Sequence, residues 1–235
     1  MSVSQEQKIS STSTLKDDQN LQRKQSHLQN FLRRNDLKSI IRILQTDKKS
    51  RTNYPKLKYL NQIYHVGQNL CIRGDNRSVY VAKLIKIVKL MDQENNCIPF
   101  IKVQWFYRKT ELIGLQKDHL DCISENEVFK TNEFDYIEIE SIIGLAIILS
   151  YEEYDHIEEL NDNIFFMRAS YINEKLLPPF EQWKKICVCK RPANPDLKYV
   201  FCEICKQWIH LKCIGLSQDQ AKRLQKYICP ECKKN

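Results

Sequence analysis

Between Tyr54 and Leu177 the apolar positions fall at short, strand-like intervals. Ser78–Met91 alternates in part, with Val79, Val81, Leu84, Ile85, Ile87 and Val88 as its apolar members. Ile98–Tyr107 reads IPFIKVQWFY and is dense in β-branched and aromatic residues. Both stretches predict strands. Asp135–Ile139, Ile142–Leu149 and Ile164–Met167 predict more, and Gly67, Gly74 and Gly114 punctuate the early connections. Several strands without a long helical period between them predict a mainly β fold, a barrel or distorted sheet. Upstream the period changes. Leu28, Phe31, Leu32, Leu37, Ile40, Ile41 and Leu44 recur near helical spacing, with Asn35 and Asp36 as caps or breaks. A short amphipathic helical segment is expected over 29–53, either packed on the main domain or kept for a partner. Residues 1–28 are rich in Ser, Gln, Lys and Asn and are expected to be a disordered basic tail.

The C-terminal segment has a different texture. Cys187, Cys189, Cys202, Cys205, His210, Cys213, Cys229 and Cys232 follow one another with spacings C-x-C, C-x2-C, H-x2-C and C-x2-C. Four ligand pairs in so short a segment predict two tetrahedral sites, and sulfur/nitrogen sites of that geometry select zinc. Such a segment has little apolar core, so the metal must supply much of its folding energy.

Composition narrows the remaining choices. Hydrophobic residues make up 42% of the 235, an ordinary share for a folded chain with one moderate and one small domain. No run of 18 apolar residues appears, so no membrane helix is expected, and the first residues lack the apolar core of a secretory signal. Seven of the ten Cys are in the ligand set, which leaves Cys71, Cys97 and Cys122 as scattered thiols of a reducing compartment. Charge is uneven. Residues 1–60 hold 13 Lys/Arg against 5 Asp/Glu, and 184–235 hold 12 against 4. Glu125 to Glu159 holds 11 acidic residues and one Lys. Basic ends suit nucleic-acid phosphates and an acidic middle suits a basic peptide, though charge runs are also ordinary solvated faces.

The ligand order, with Trp208 two positions before His210 and Tyr227 two before Cys229, resembles a PHD finger over residues 183–235. A RING domain differs in opening with C-x2-C and placing its His earlier. The PHD resemblance implies a cross-braced pairing: Cys187, Cys189, His210 and Cys213 on one zinc, Cys202, Cys205, Cys229 and Cys232 on the other. It also implies Tyr199 and Trp208 as walls of a methyl-lysine cage, with Trp208 otherwise a structural aromatic. Ala193 stands at the third-wall position and offers none, so a Tyr there is expected to tighten binding. Asp196 and Glu203 would face the arginine and free amine of a histone tail, and Lys198–Phe201 would pair with the tail as an added strand.

Residues 54–180 resemble a BAH domain through VGQNLCIRG (Val66–Gly74), VYVAKLIKI (Val79–Ile87), VQWFYRKTE (Val103–Glu111), NEFDYIEIESIIG (Asn132–Gly144) and the F-x-R-x-x-Y of Phe166–Tyr171. A BAH followed at once by a PHD finger is similar to plant-type BAH–PHD histone-mark readers. The linker Pro178–Trp183 is short enough that the modules are expected to pack together. The resemblance implies a BAH cage of Tyr80, Trp105 and Tyr107, with Glu133 and Asp135 as tail contacts. Trp105 and Tyr107 are two apart and share a strand face, Tyr80 comes from a neighbouring strand, and Phe106 points to the core. The other reading makes the three aromatics core residues.

Trimethyl-lysine keeps its charge, donates no hydrogen bond and suits a box of aromatic faces. The expected function is therefore a nuclear, non-catalytic chromatin reader of the histone H3 tail on the nucleosome. The finger would take methylated lysine 4 and the BAH a second methyl-lysine, lysine 27 by resemblance only. DNA contact through the basic ends and membership of a chromatin complex are compatible with this. The competing classes are a nucleic-acid or protein-interaction scaffold and a RING-like ubiquitin ligase or zinc hydrolase. A catalytic zinc needs an open position that eight ligands for two ions do not leave, and no G-x-S-x-G, P-loop or dinucleotide fingerprint is present.

Overall fold

A computed structural model describes residues 53–74, 78–91 and 97–233. The expectations for 1–28 and 29–53 lie outside these residues, apart from Asn53. That residue opens strand β1 (Asn53–Tyr54), which is followed by β2 (Lys56–Tyr59), β3 (Gln62–His65), β4 (Asn69–Arg73), β5 (Val79–Met91) and β6 (Cys97–Arg108). Next come a single helical turn α1 (Lys117–Leu120), β7 (Val128–Glu138), β8 (Ile142–Leu145), β9 (Ile147–Leu149) and α2 (Tyr151–Asp155). The strands β10 (Ile164–Phe166), β11 (Ser170–Ile172) and β12 (Lys175–Leu177) complete this part. The C-terminal part adds β13 (Lys185–Ile186), β14 (Arg191–Pro192), β15 (Tyr199–Phe201), β16 (Trp208–His210) and α3 (Gln218–Lys222). The fold is mainly β, as the apolar pattern predicts. Among the described residues, β12-β11-β7-β6-β5-β4-β8 form one hydrogen-bonded sheet with β1 added against β5. No described helix is long and apolar enough to cross a membrane.

Two compact units divide the chain. Of the described residues, the first holds 53–66, 84–91, 97–103 and 136–140. Its hairpin pairs Lys56 with His65, Leu57 with Tyr64 and Lys58 with Ile63. Period-2 alternation then sends Leu57 and Tyr64 to one face and Lys56, Lys58 and Ile63 to the other. Tyr64 is buried, whereas Lys56, Lys58 and Ile63 are exposed. Leu84, Ile87, Val88, Ile98, Phe100, Ile101, Val103, Tyr136 and Ile139 supply the unit's other buried apolar side chains.

The second unit holds 67–74, 78–83, 104–135 and 141–233. Cys71, Val81, Phe106, Val128, Ala146 and Phe165 make one of its cores. Leu112, Ile123, Phe129, Ala169, Tyr171, Leu176 and Trp183 make another. The apolar run Ile142–Leu149 does not form one strand. It breaks at buried Ala146, whose N–H donates to Asn69 O at 2.9 Å, and β9 then pairs in parallel with β10. The β11–β12 hairpin turns through Asn173 and Glu174, both at positive φ (48° and 60°). Two-residue hairpin turns of that kind are usually announced by Asn-Gly, and the Glu in second place hides this one from the sequence. Helix α2 starts on a capping box: Ser150 Oγ accepts from Glu153 N, and Ser150 N donates to the Glu153 carboxylate.

Candidate zinc centre and aromatic sites

The eight C-terminal ligands gather into two groups of four, Cys187, Cys189, His210 and Cys213, and Cys202, Cys205, Cys229 and Cys232. Within each group all ligand atoms lie within 4.8 Å of one another. This is the interleaved pairing that the resemblance implies. Local backbone shapes the sites. Lys190 directly follows Cys189 and Lys206 directly follows Cys205, and both sit at φ 57°. Their N–H groups bond back to the carbonyls of Cys187 (3.1 Å) and Cys202 (2.9 Å), which closes each turn around its ligand pair. The donor chemistry fits zinc. His210 N–H points at Cys187 Sγ (3.4 Å) and Cys229 N–H at Cys202 Sγ (3.3 Å), contacts that favour thiolates. Nδ1 of His210 is the nitrogen turned toward Cys189 and Cys213 Sγ. Two zinc ions are therefore the cofactors of the finger. The sulfur ligands and Ile209 make most of its small buried cluster.

Strands β15 and β16 place the finger's aromatics. Tyr199 lies opposite His210 and Phe201 opposite Trp208, so all four share one face. Trp208 is 51% exposed and packs on Phe201 with ring centroids 5.1 Å apart. Phe201 was not singled out in the sequence, although its i+2 relation to Tyr199 marks the shared face. Tyr199 is half-buried, its ring 4.6 Å from that of His210. Its hydroxyl donates to Asn194 O (3.1 Å) and accepts from Asn194 N (2.8 Å). Burial pushes the Tyr199 hydroxyl up to about 12, partly offset by the Asn194 amide. It is therefore a neutral donor at physiological pH.

Two expectations change here. Asp196 is not turned to an incoming tail: its carboxylate accepts from Ser124 Oγ (2.7 Å) and Glu125 N (2.8 Å). Ala193 is buried, and its carbonyl accepts from Arg168 Nη1 at 2.7 Å. A Tyr at that position would overpack the contact instead of adding a wall. Glu203 remains at the surface, paired with Lys206 at 3.3 Å, an exposed contact of small energetic weight.

In the BAH part, Tyr80 on β5 and Trp105 on β6 meet edge to face, with centroids 6.1 Å apart. Trp105 and Tyr107 are half-buried on one side of β6, whereas Phe106 between them is buried in the core on the other side. Glu133 and Asp135, both exposed on β7, bond to these aromatics. The Trp105 indole N–H donates to Asp135 Oδ2 (3.0 Å), and the Tyr107 hydroxyl donates to Glu133 Oε2 (2.5 Å). Burial, then the Glu133 bond, raises the Tyr107 hydroxyl and keeps it protonated. The two carboxylates thus orient aromatic rings, a role the sequence alone does not reveal. Tyr107 also leans on Tyr171, at 6.0 Å. Gly74 has a sequence signal that now finds its reason. A Cβ there would lie 2.5 Å from the Tyr80 ring and 2.4 Å from Ser78 Oγ, so only Gly lets that ring sit where it does.

The F-x-R-x-x-Y segment supplies residues that sequence reasoning left without roles. Phe166 packs on Tyr154 at 4.5 Å, and the Tyr171 hydroxyl bonds to both Ile113 N (3.1 Å) and Ile113 O (2.8 Å). Arg168 binds both oxygens of Glu127, Nε to Oε1 at 2.7 Å and Nη2 to Oε2 at 2.8 Å. Its guanidinium carbon sits 4.3 Å from the Trp183 ring. Burial raises the Glu127 carboxyl, and the guanidinium on both its oxygens pulls it back.

Comparison with known proteins agrees with this layout. The BAH domain profile matches residues 62–179 and the PHD-finger profile residues 187–232. The chain is 28% identical over 193 residues to the chromatin remodeling protein EBS of Arabidopsis thaliana, covering 80% of this chain and 78% of that protein. It is 27% identical over 179 residues to the chromatin remodeling protein SHL of the same plant, covering 75% and 76%. The crystal structure of the yeast Rsc2 BAH domain aligns over 53% of each chain, with a TM-score of 0.38 and 15% identity. With half its length matched, the chain belongs to the BAH-domain family, and a PHD finger with two four-ligand metal sites follows its BAH domain.

Proposed function

We propose that this chain is a non-catalytic chromatin reader that takes methylated lysines of histone H3 tails at two separate aromatic sites. The observation that carries the reading is that each module presents its own aromatic set. Tyr80, Trp105 and Tyr107 stand on BAH strands beside Glu133 and Asp135; Tyr199 and Trp208 share a face of the finger. A cation with a large, weakly hydrated surface suits both. Methylated lysine 4 for the finger and lysine 27 for the BAH follow from resemblance to BAH–PHD readers. Two relatives named as chromatin remodeling proteins support nuclear, chromatin-bound work. Four protein ligands on each metal leave no open coordination position, which supports a structural role for zinc. Among the described residues no other strand pairs with the edge of β15 away from β16, and a peptide strand added there would fit the reading.

A peptide array of modified histone tails, followed by calorimetry on Trp105→Ala and Trp208→Ala, tests the reading. Each substitution should weaken one mark and spare the other. If no methylated peptide binds through either aromatic set, the chain is a scaffold instead.

DNA contact is the second element of the proposal. Lys56 and Lys58 stand exposed on the outer face of the hairpin, following a stretch rich in Lys and Arg. Binding of this kind would weaken steeply with salt.

A further inference from the structure

The finger's aromatic wall is tied to residues outside the finger. Asn194 is 3% exposed, and its side-chain Nδ2 donates to two BAH carbonyls, Asp121 O (3.1 Å) and Ile123 O (3.3 Å). The backbone N–H and C=O of the same residue hold the Tyr199 hydroxyl. On one side of Asn194, Ala193 O takes Arg168 Nη1; on the other, the Asp196 carboxylate takes Ser124 Oγ and Glu125 N. Arg168 is itself fixed from several directions, by Glu127, by Cys122 O at 2.9 Å and by the Trp183 ring. Three anchors thus hold the finger loop 193–196, one from Arg168 to Ala193 O and two between the BAH loop 121–125 and Asn194 and Asp196. The middle one continues directly to Tyr199.

We infer that Asn194 and Arg168 are positioning residues for methyl-lysine reading by the finger: the BAH module sets the orientation of Tyr199, and the finger reads its tail as part of a two-module body. The inference rests on Tyr199 being a cage wall. Its physical basis is preorganisation. A ring already held in the binding orientation is not ordered anew when the peptide arrives, so affinity gains without any added contact. Asn194 is suited to the task because its amide donates outward while its backbone serves the phenol.

The test uses the full zinc-loaded chain and an H3 N-terminal peptide trimethylated at lysine 4. Tyr199→Phe keeps the aromatic face and removes only the hydroxyl bonds to Asn194. A wall that works by its ring alone should tolerate it. Positioning predicts that affinity falls by about tenfold, with two zinc ions per chain retained and a modest fall in Tm, since the Asn194 N–H loses its partner. Asn194→Ala should lower affinity similarly and speed amide hydrogen exchange over residues 193–201. Arg168→Lys should act in the same direction. Wild-type affinity in both Tyr199→Phe and Asn194→Ala overturns the inference. If Asn194→Ala loses zinc or unfolds, Tyr199→Phe decides. If the wild-type chain binds no such peptide, the cage reading fails first. Exchange then judges the positioning: unchanged protection of 193–201 in Asn194→Ala would sink it too.

Discussion

The two aromatic sites are held in different ways. In the BAH part, strands bring Tyr80, Trp105 and Tyr107 together, and carboxylates on β7 bond to two of the rings. Beneath β6, Phe106 anchors the strand in a core of buried apolar side chains. In the finger, Tyr199 and Trp208 stand on two three-residue strands, and the residue facing Tyr199 is the zinc ligand His210. The finger's buried cluster is small, Cys187, Cys202, Cys229 and Ile209, with Ile214, Tyr227 and Cys232 packed against it. The BAH site therefore draws its order from hydrophobic burial, and the finger site from metal together with the anchors on loop 193–196. The difference shows that similar surface chemistry can rest on unlike sources of stability, and that the sources can be removed one at a time.

Zinc removal should give the largest effect. Structural zinc contributes roughly 10–16 kcal/mol of apparent binding energy in finger peptides at neutral pH, and here that energy is folding energy. Chelation should unfold residues 187–232 and abolish lysine-4 binding, while the core around Phe106 and Val128 stays protected. Limited proteolysis and circular dichroism would show it. A metal-free finger that remains folded would remove the contrast between the two sites.

Glu127→Ala should come next. Glu127 is fully buried and bonded at both oxygens to Arg168, so its loss leaves an uncompensated buried charge. Breaking such a pair typically costs about 3–5 kcal/mol. Thermal unfolding should show a large drop in Tm. Finger binding should suffer more than BAH binding, because Arg168 also holds Ala193 O. Equal losses at the two sites would mean that the pair serves the fold alone.

How much of this was legible depended on how far each signal travels along the chain. Zinc ligands announce themselves because C-x2-C and H-x2-C are local spacings, and the pairing followed from resemblance. Strands β5 and β6 were legible from local apolar density. Trp105 and Tyr107 share a face by alternation alone. Tertiary partners were not legible. Nothing in the sequence near Asp196 says that Ser124 and Glu125, some seventy positions away, take its carboxylate. The same holds for Arg168 and Glu127, separated by 41 positions. Ala193 looked like a missing wall because its burial against another module has no local mark.

Trp105→Ala and Trp208→Ala sharpen the comparison on a smaller scale. A cation–aromatic contact is worth about 0.5–2 kcal/mol, so each should weaken its own mark by roughly twofold to thirtyfold. Trp208 is half exposed and, among the described residues, not bonded to a carboxylate, so its removal should leave Tm nearly unchanged. Trp105 packs on Tyr80 and donates to Asp135, so its removal should lower Tm as well. Calorimetry with the two peptides, alongside melting curves, separates these outcomes. Loss of both marks from either single substitution would contradict two independent sites.

The smallest effect is expected in the first unit, which holds neither aromatic set. Glu140 Oε2 is buried without a hydrogen-bond partner among the described residues, and burial chiefly raises the carboxyl above its ordinary value, with Glu138 adding to the rise. A carboxyl raised by folding favours the fold when protonated. Its stabilising contribution is complete below the ordinary carboxylate range and is lost as pH rises through the raised value. At neutral pH the charged form therefore opposes folding, and Glu140→Gln should relieve it. The group is partly exposed and solvent screens it, so the gain should stay under about 1 kcal/mol, at most roughly 2–4 °C in Tm. The gain should be much reduced near pH 4, where most of the wild-type carboxyl is protonated in both states. Affinity at the two aromatic sites should not change, which makes the substitution a control for the larger ones. A stabilisation that persists unchanged at pH 4 would show that the amide acts by packing and not by removing charge.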